Sequence, residues 1–73
     1  MEYRITCIQK AVTEDSMMVT DLGGIDAQGE RWTMSVEEAA EAIAAGGRFL
    51  LGDSPLAAID PGSKALLKLP SCP

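Results

Sequence analysis

The chain has 73 residues, 47% of them apolar, and carries 11 acidic and 6 basic side chains and no histidine, for a net charge of −5. So short a chain has room for one core, so we expect residues 1–73 to form a single small domain. The charge disfavours nucleic acid as a partner, because binding phosphates requires clustered Lys and Arg. Without an imidazole, Ser–His–Asp or Cys–His catalysis cannot be assembled within the chain. We therefore expect a protein that is not an enzyme and uses no cofactor.

Two features bear on location. No apolar run approaches the roughly 20 residues of a membrane span, so no membrane association is predicted. The opening "MEYRITCIQK" has an early acid and a central arginine, which is typical of a strand rather than of a signal peptide. We expect a cytoplasmic protein.

The first third of the chain predicts two strands. In "YRITCIQK", apolar and polar residues alternate with period two, which would place Tyr3, Ile5 and Cys7 on one face and Ile8 on the other. The polar "TEDS" at 13–16 predicts a turn, and "MMVTDL" a second strand.

The glycine-rich "GGIDAQG" at 23–29 has two interpretations. A phosphate-binding glycine loop leads directly from a strand into a helix, but here "ERWTM" intervenes and acids flank the glycines. We therefore predict a hairpin loop followed by a returning strand that contains Trp32.

A helix is predicted after this strand. Ser35 and Glu38 have the spacing of a capping box, and Gly46 and Gly47 end the pattern. One apolar stripe, spaced i, i+3, i+4, i+7 and i+8, is expected to face a sheet: Val36, Ala39, Ala40, Ile43 and Ala44.

The remaining segments predict three more strands. These are "RFLL", then "LAAI" after the turn "GDSP", then "KALLKLP" after a type II turn at Asp60–Ser63. The predicted order is β-β-β-α-β-β-β. Because nearly all connections are short, we expect an α+β fold with a small antiparallel sheet that can curl into a barrel-like form, and one helix packed on it.

The acidic residues suggest a protein-binding surface. Opposite the apolar stripe the helix carries Glu37, Glu38 and Glu41, and the hairpin loop adds Asp26 and Glu30. Exposed carboxylates do not form the cleft that acid–base catalysis requires. These five acids are therefore either a solvated surface or contacts for a basic protein partner. Asp21, Asp26 and Glu30 lack the spacing of an EF-hand calcium loop.

The two cysteines, Cys7 and Cys72, leave three possibilities open. Cys7 can be a buried thiol that packs as a small hydrophobe. A disulfide would join the first strand to the tail, although a reducing cytoplasm disfavours it. Two thiols are half of a structural zinc site, which would need a second chain.

With these residues in view, the chain resembles a family of small bacterial proteins, the domain of unknown function numbered 3892. The similar features are "YRITCI", "LGG", the "G-x-x-W-x-x-S" run into "VEEAAEAI", the "RFLL" that follows the glycines, and the closing "LPSCP". Between Ile59 and Leu69 the chain departs from the family, whose members carry a longer stretch with a Tyr-Leu-Lys-Thr-like strand. The resemblance implies an α+β fold, no established activity and no catalytic residues.

Together these features favour a non-enzymatic protein-interaction module, for example a phage- or prophage-encoded inhibitor that binds a host protein. One alternative is a self-associating structural domain, a homodimer formed through Met17, Met18, Leu50 and Leu51. The other is a cysteine-dependent metal or redox protein.

Overall fold

The computed structural model describes all 73 residues. The chain forms a five-stranded sheet with strand order β3-β2-β1-β4-β5 and two short helices. The elements are β1 (Glu2–Val12), β2 (Met17–Asp26), β3 (Arg31–Ser35), α1 (Val36–Ala44), β4 (Arg48–Leu51), β5 (Ser54–Leu56) and α2 (Lys64–Leu67). The predicted α+β class, with a helix packed on a sheet, is confirmed.

The sheet differs from the prediction in two respects. It is mixed rather than fully antiparallel, because β4 pairs with β1 in parallel. Helix α1 makes the crossover that parallel strands require, leading from β3 to β4. The sheet also remains open, with β3 and β5 as its two edges, so it does not form a barrel.

A β-bulge in β1 decides which side chains enter the core. The register with β2 shifts between Ile5 and Cys7, which leaves Thr6 as an extra residue. The bulge reverses the alternation of side chains, so Ile8 lies with Tyr3 and Ile5 on the face that α1 covers. Cys7 lies on the opposite, open face. The predicted faces are therefore wrong for Cys7 and Ile8.

The core lies between the sheet and the two helices. Seven buried hydrophobic residues form one cluster: Ile5, Ile8, Val19, Leu22, Ala39, Phe49 and Leu66. Three aromatic rings pack beside one another, with centroid distances of 4.8 Å for Tyr3–Phe49, 5.3 Å for Tyr3–Trp32 and 5.5 Å for Trp32–Phe49. The Trp32 indole N–H is buried without a hydrogen-bond acceptor.

Helix α1 begins and ends as predicted. The Ser35 hydroxyl accepts the Glu38 N–H and the Glu38 carboxylate accepts the Ser35 N–H, which completes the capping box. At the other end Gly46 has φ of +98°, and the Gly47 N–H bonds to the Ala42 carbonyl, as in a Schellman motif.

The apolar stripe of α1 is narrower than predicted. Ala39 is buried, and Val36, Ala42 and Ile43 pack against the core. Ala40 and Ala44, which were assigned to the stripe, are exposed. They share the outer surface of α1 with its acids.

The predicted last strand is instead a helix. Lys64–Leu67 form α2, capped by Ser63, whose hydroxyl accepts the Leu66 N–H. Lys, Ala and Leu are good helix formers, and this turn places Leu66 in the core. The preceding turn has the predicted Asp60 carbonyl to Ser63 N–H bond, but Gly62 does not adopt a positive φ, so the turn is not type II.

Candidate functional site

The β2–β3 turn holds two of the five predicted contact residues. Asp26 ends β2, and its Oδ1 accepts the backbone N–H groups of Gln28 and Glu30 at 2.9 Å each. The turn closes through Gly29, which has φ of +79°. Asp26 is therefore committed to its own turn, whereas the exposed Glu30 side chain makes no hydrogen bond or ion pair.

Gly23 and Gly24 do not belong to this turn, although they were predicted to be in a hairpin loop. Both are buried within β2. A Cβ on Gly24 would collide with the Arg4 carbonyl, so the close approach of β1 at the bulge requires glycine there.

The three helical acids have different roles. The Glu38 carboxylate is part of the capping box and stabilises the helix end. Glu37 and Glu41 are exposed, and their side chains make no hydrogen bond or ion pair within the molecule. These two side chains remain available to a partner.

The five acids therefore do not form one cluster. Asp26 and Glu30 precede β3, and the helical acids follow it. The five residues of β3 separate the two groups by about 17 Å at the usual rise per residue. Nowhere do three or more Cys, Asp or Glu side chains come together in a way that could hold a metal ion. Asp21, Asp26 and Glu30 therefore do not form a cation-binding cluster.

The structure joins the two cysteines. Cys7 and Cys72 form a disulfide that spans 65 residues of sequence, with their Cα atoms 4.9 Å apart. Of the three possibilities left open by the sequence, the structure adopts this one. Paired sulfurs do not offer thiolates to zinc, because only the thiolate is a ligand.

The disulfide holds the end of the chain against β1. The Ile8 N–H bonds to the Pro70 carbonyl and the Cys72 N–H bonds to the Ile8 carbonyl, each at 3.0 Å. Ser71 pairs with Ile8 in parallel, and the Gln9 side chain donates to the Cys72 carbonyl. The last residues thus extend the sheet beside β1, beyond the end of β4.

A shallow groove of about 330 Å³ lies beside the disulfide. The residues that line it include the hydroxyl-bearing Thr6, Thr33 and Ser71, the basic Arg31 and the apolar Ile25. A groove with such a lining can bind a ligand through hydrogen bonds and through the positive charge of the Arg31 guanidinium. The sequence pattern does not predict this groove, because Cys7 reaches the open face only through the bulge.

The predicted self-association residues are divided between two environments. Met17 and Met18 are 42% and 47% exposed, and Val12, paired with Met17, is 63% exposed. These three side chains, which we call the apolar tip, lie at the end of the β1–β2 hairpin. Leu50 is buried and Leu51 packs against the core, and β4 is an interior strand, so they do not form an exposed edge.

No protein-family model matches the chain, and no curated protein or solved structure matches it either. The resemblance to family 3892 therefore stays a prediction. Both helices are too short to span a bilayer.

Proposed function

We propose that the protein is a non-enzymatic protein-interaction module that acts by binding the surface of another protein. An inhibitor that a phage or prophage directs at a host protein is one form of such a module. The observation that carries the proposal is that the exposed Glu37 and Glu41 side chains make no hydrogen bond or ion pair within the molecule. Of 11 acids, only Asp53 lies in an ion pair, with Arg4 at 3.5 Å.

Glu37 and Glu41 make the argument specific. They project from a helix whose beginning, end and inner face are fixed by the capping box, the Schellman motif and the core. The exposed Ala40 and Ala44 lie beside them and leave both carboxylates accessible. A rigid surface with free charges loses little entropy on binding and attracts a basic partner over long range.

The test is to capture a binding partner from a native lysate with the wild-type protein and with two variants in which acidic residues are replaced by lysines. We expect the double variant Glu37→Lys/Glu41→Lys to lose a partner that the wild type retains at low salt. The control is Glu14→Lys/Asp15→Lys, which changes the net charge equally but at the β1–β2 turn. Equal capture by both variants, or no partner for the wild type at any salt concentration, would refute the proposal.

Self-association is the second candidate, and the apolar tip favours it. Three large hydrophobic side chains are exposed at one end of this hairpin, where a second copy could cover them. We expect sedimentation to show a dimer that Met17→Ser/Met18→Ser dissociates. A single monomeric species at high protein concentration would eliminate this candidate.

A further inference from the structure

The free edge of β3 offers backbone groups to a partner. In the β2–β3 hairpin the Asp26 N–H bonds to the Glu30 carbonyl. Antiparallel strands alternate between bonded and non-bonded pairs, so Trp32 and Met34 direct their backbone groups to β2. Arg31, Thr33 and Ser35 direct theirs away from the sheet. The Ser35 N–H fits this pattern, because it bonds to the Glu38 side chain instead of to β2.

The N–H and C=O groups of Arg31 and Thr33 therefore face away from the molecule, and no turn, loop or side-chain bond reaches them. Both residues are exposed. Such an edge is a template for another strand.

The other edge of the sheet is protected. β5 has only three residues, and its central residue is Pro55, which has no N–H to donate. The C-terminal segment covers β1 at Ile8. Beyond Ile8, at Lys10 and Val12, β1 has no partner strand on its outer side either, so this short stretch is the alternative edge that a test must distinguish from β3.

Charge indicates what fits along β3. In the chain, the free Glu30 directly precedes β3 and the free Glu37 follows it by two residues, so one free acid stands at each end of the strand and Arg31 is the one base within it. A second copy in a two-fold antiparallel arrangement would bring the Glu30 end of one chain against the Glu37 end of the other. At each end of such a pair two acids, Glu30 and Glu37, would meet one base, Arg31, so net repulsion disfavours a second copy as the occupant.

We propose that the free edge of β3 accepts an extended segment of the partner protein as an added strand, with basic side chains at both ends of that segment. This inference rests on the proposed function and deepens it. The backbone of β3 supplies hydrogen bonds, and the two flanking acids select the charge pattern. Arg31, near one end, disfavours a basic residue directly opposite it.

The probe is a synthetic peptide with a pair of lysines at each end of an alternating threonine–valine core. We expect its binding to change the fluorescence of Trp32, the single tryptophan, and to slow amide exchange at Arg31 and Thr33 by about tenfold or more, as expected for a newly formed hydrogen bond. The first control replaces the lysines with glutamates. The second keeps the lysines but carries N-methyl groups on the peptide amides that would bond to β3.

The matched protein variant is Thr33→Pro. It removes an outward N–H without removing a bond to β2, and Trp32 before it is already extended, as a residue preceding proline should be. We expect this variant to bind the peptide about tenfold more weakly. The N-methylated peptide gives the same information on the wild-type protein should the variant not fold.

Each alternative result overturns the inference. Equal binding of the N-methylated and unmodified peptides would show attraction by charge alone. No binding at millimolar peptide, or protection at Lys10 and Val12 instead of β3, would exclude this edge. If, without peptide, amide exchange in β3 slows as the protein concentration increases, the occupant of the edge is a second copy. If Thr33→Pro captures the lysate partner as well as the wild type does, while Glu37→Lys/Glu41→Lys loses it, the proposed function stands and this inference fails.

Discussion

Gly23 lies directly against the sulfur of Cys7, its neighbour across the β1–β2 ladder. A Cβ built on Gly23 would lie 2.9 Å from Cys7 Sγ and 2.8 Å from Cys72 Sγ, closer than side-chain packing allows. The absence of a side chain at this position therefore makes room for the disulfide on the open face of the sheet.

The first prediction follows from this contact. We expect Gly23→Ala to destabilise the oxidised protein by about 1–3 kcal/mol, the usual effect of overpacking. In a Cys7→Ala/Cys72→Ala background both sulfurs are absent, and the same substitution should cost clearly less. Urea unfolding of the four proteins gives the coupling between the two sites. An equal loss in the free energy of unfolding in both backgrounds would contradict the close contact between Gly23 and the two sulfurs.

The second prediction concerns the disulfide itself. By closing a loop of 65 residues, it should stabilise the fold by about 4 kcal/mol through restriction of the unfolded chain. We expect a dithiol reductant to lower the free energy of unfolding by that order and to weaken amide protection at Ile8 and Cys72. The Cys7→Ala/Cys72→Ala variant, which should not respond to reductant, is the control. A wild type equally stable with and without reductant would disprove the prediction.

The disulfide and the expected cytoplasmic location predict opposite oxidation states in the cell. Disulfides persist in oxidising compartments and are rare in a reducing cytosol. Alkylation of free thiols at the moment of lysis, followed by intact-mass measurement, distinguishes the two. Two alkyl groups would mean that the cellular form is the dithiol.

The sequence predicts the secondary structure correctly where its local signals are unambiguous. The capping box at Ser35, the glycines after α1 and the strand "RFLL" each match one structure only, and all three are confirmed. The disulfide is one of the three possibilities that the two cysteines leave open, and the expected reducing cytoplasm argues against it. A better signal was Gly23 itself, because a glycine inside a strand often marks the close approach of another group.

The failures also have physical causes. Cys7 and Ile8 are both apolar, so the pattern at this point gives no sign of the bulge that exchanges their faces. In "KALLKLP" the leucines suit either a strand or a helical turn, and Ser63, whose cap decides between them, was assigned to a turn. The parallel pairing of β4 depends on contacts distant in sequence, which local patterns do not contain.

The third prediction tests α2. In the structure Leu66 is buried and its neighbour Ala65 is exposed. We expect Leu66→Ala to lower the free energy of unfolding by about 2–5 kcal/mol. Ala65→Ser, on the exposed side, should change it by less than about 0.5 kcal/mol. Comparable effects at both positions would contradict the burial of Leu66 and the exposure of Ala65.

The fourth prediction separates the structural acid from the free ones. Glu38→Ala removes one half of the capping box and should cost about 1 kcal/mol in stability, whereas Glu37→Ala and Glu41→Ala should change it by less than about 0.5 kcal/mol. Thermal unfolding of the three variants provides the comparison. A destabilisation at Glu37 or Glu41 as large as that at Glu38 would mean that these carboxylates are committed to the fold.

The most direct test of the central claim is a footprint of the complex by amide exchange, using the partner captured from the lysate. We predict slowed exchange along β3 and around Glu37 and Glu41, with binding that weakens as salt increases because the contacts are charged. The β1–β2 turn, with Glu14 and Asp15, should exchange as in the free protein. A footprint confined to that turn and the apolar tip, or affinity independent of salt, would contradict the account.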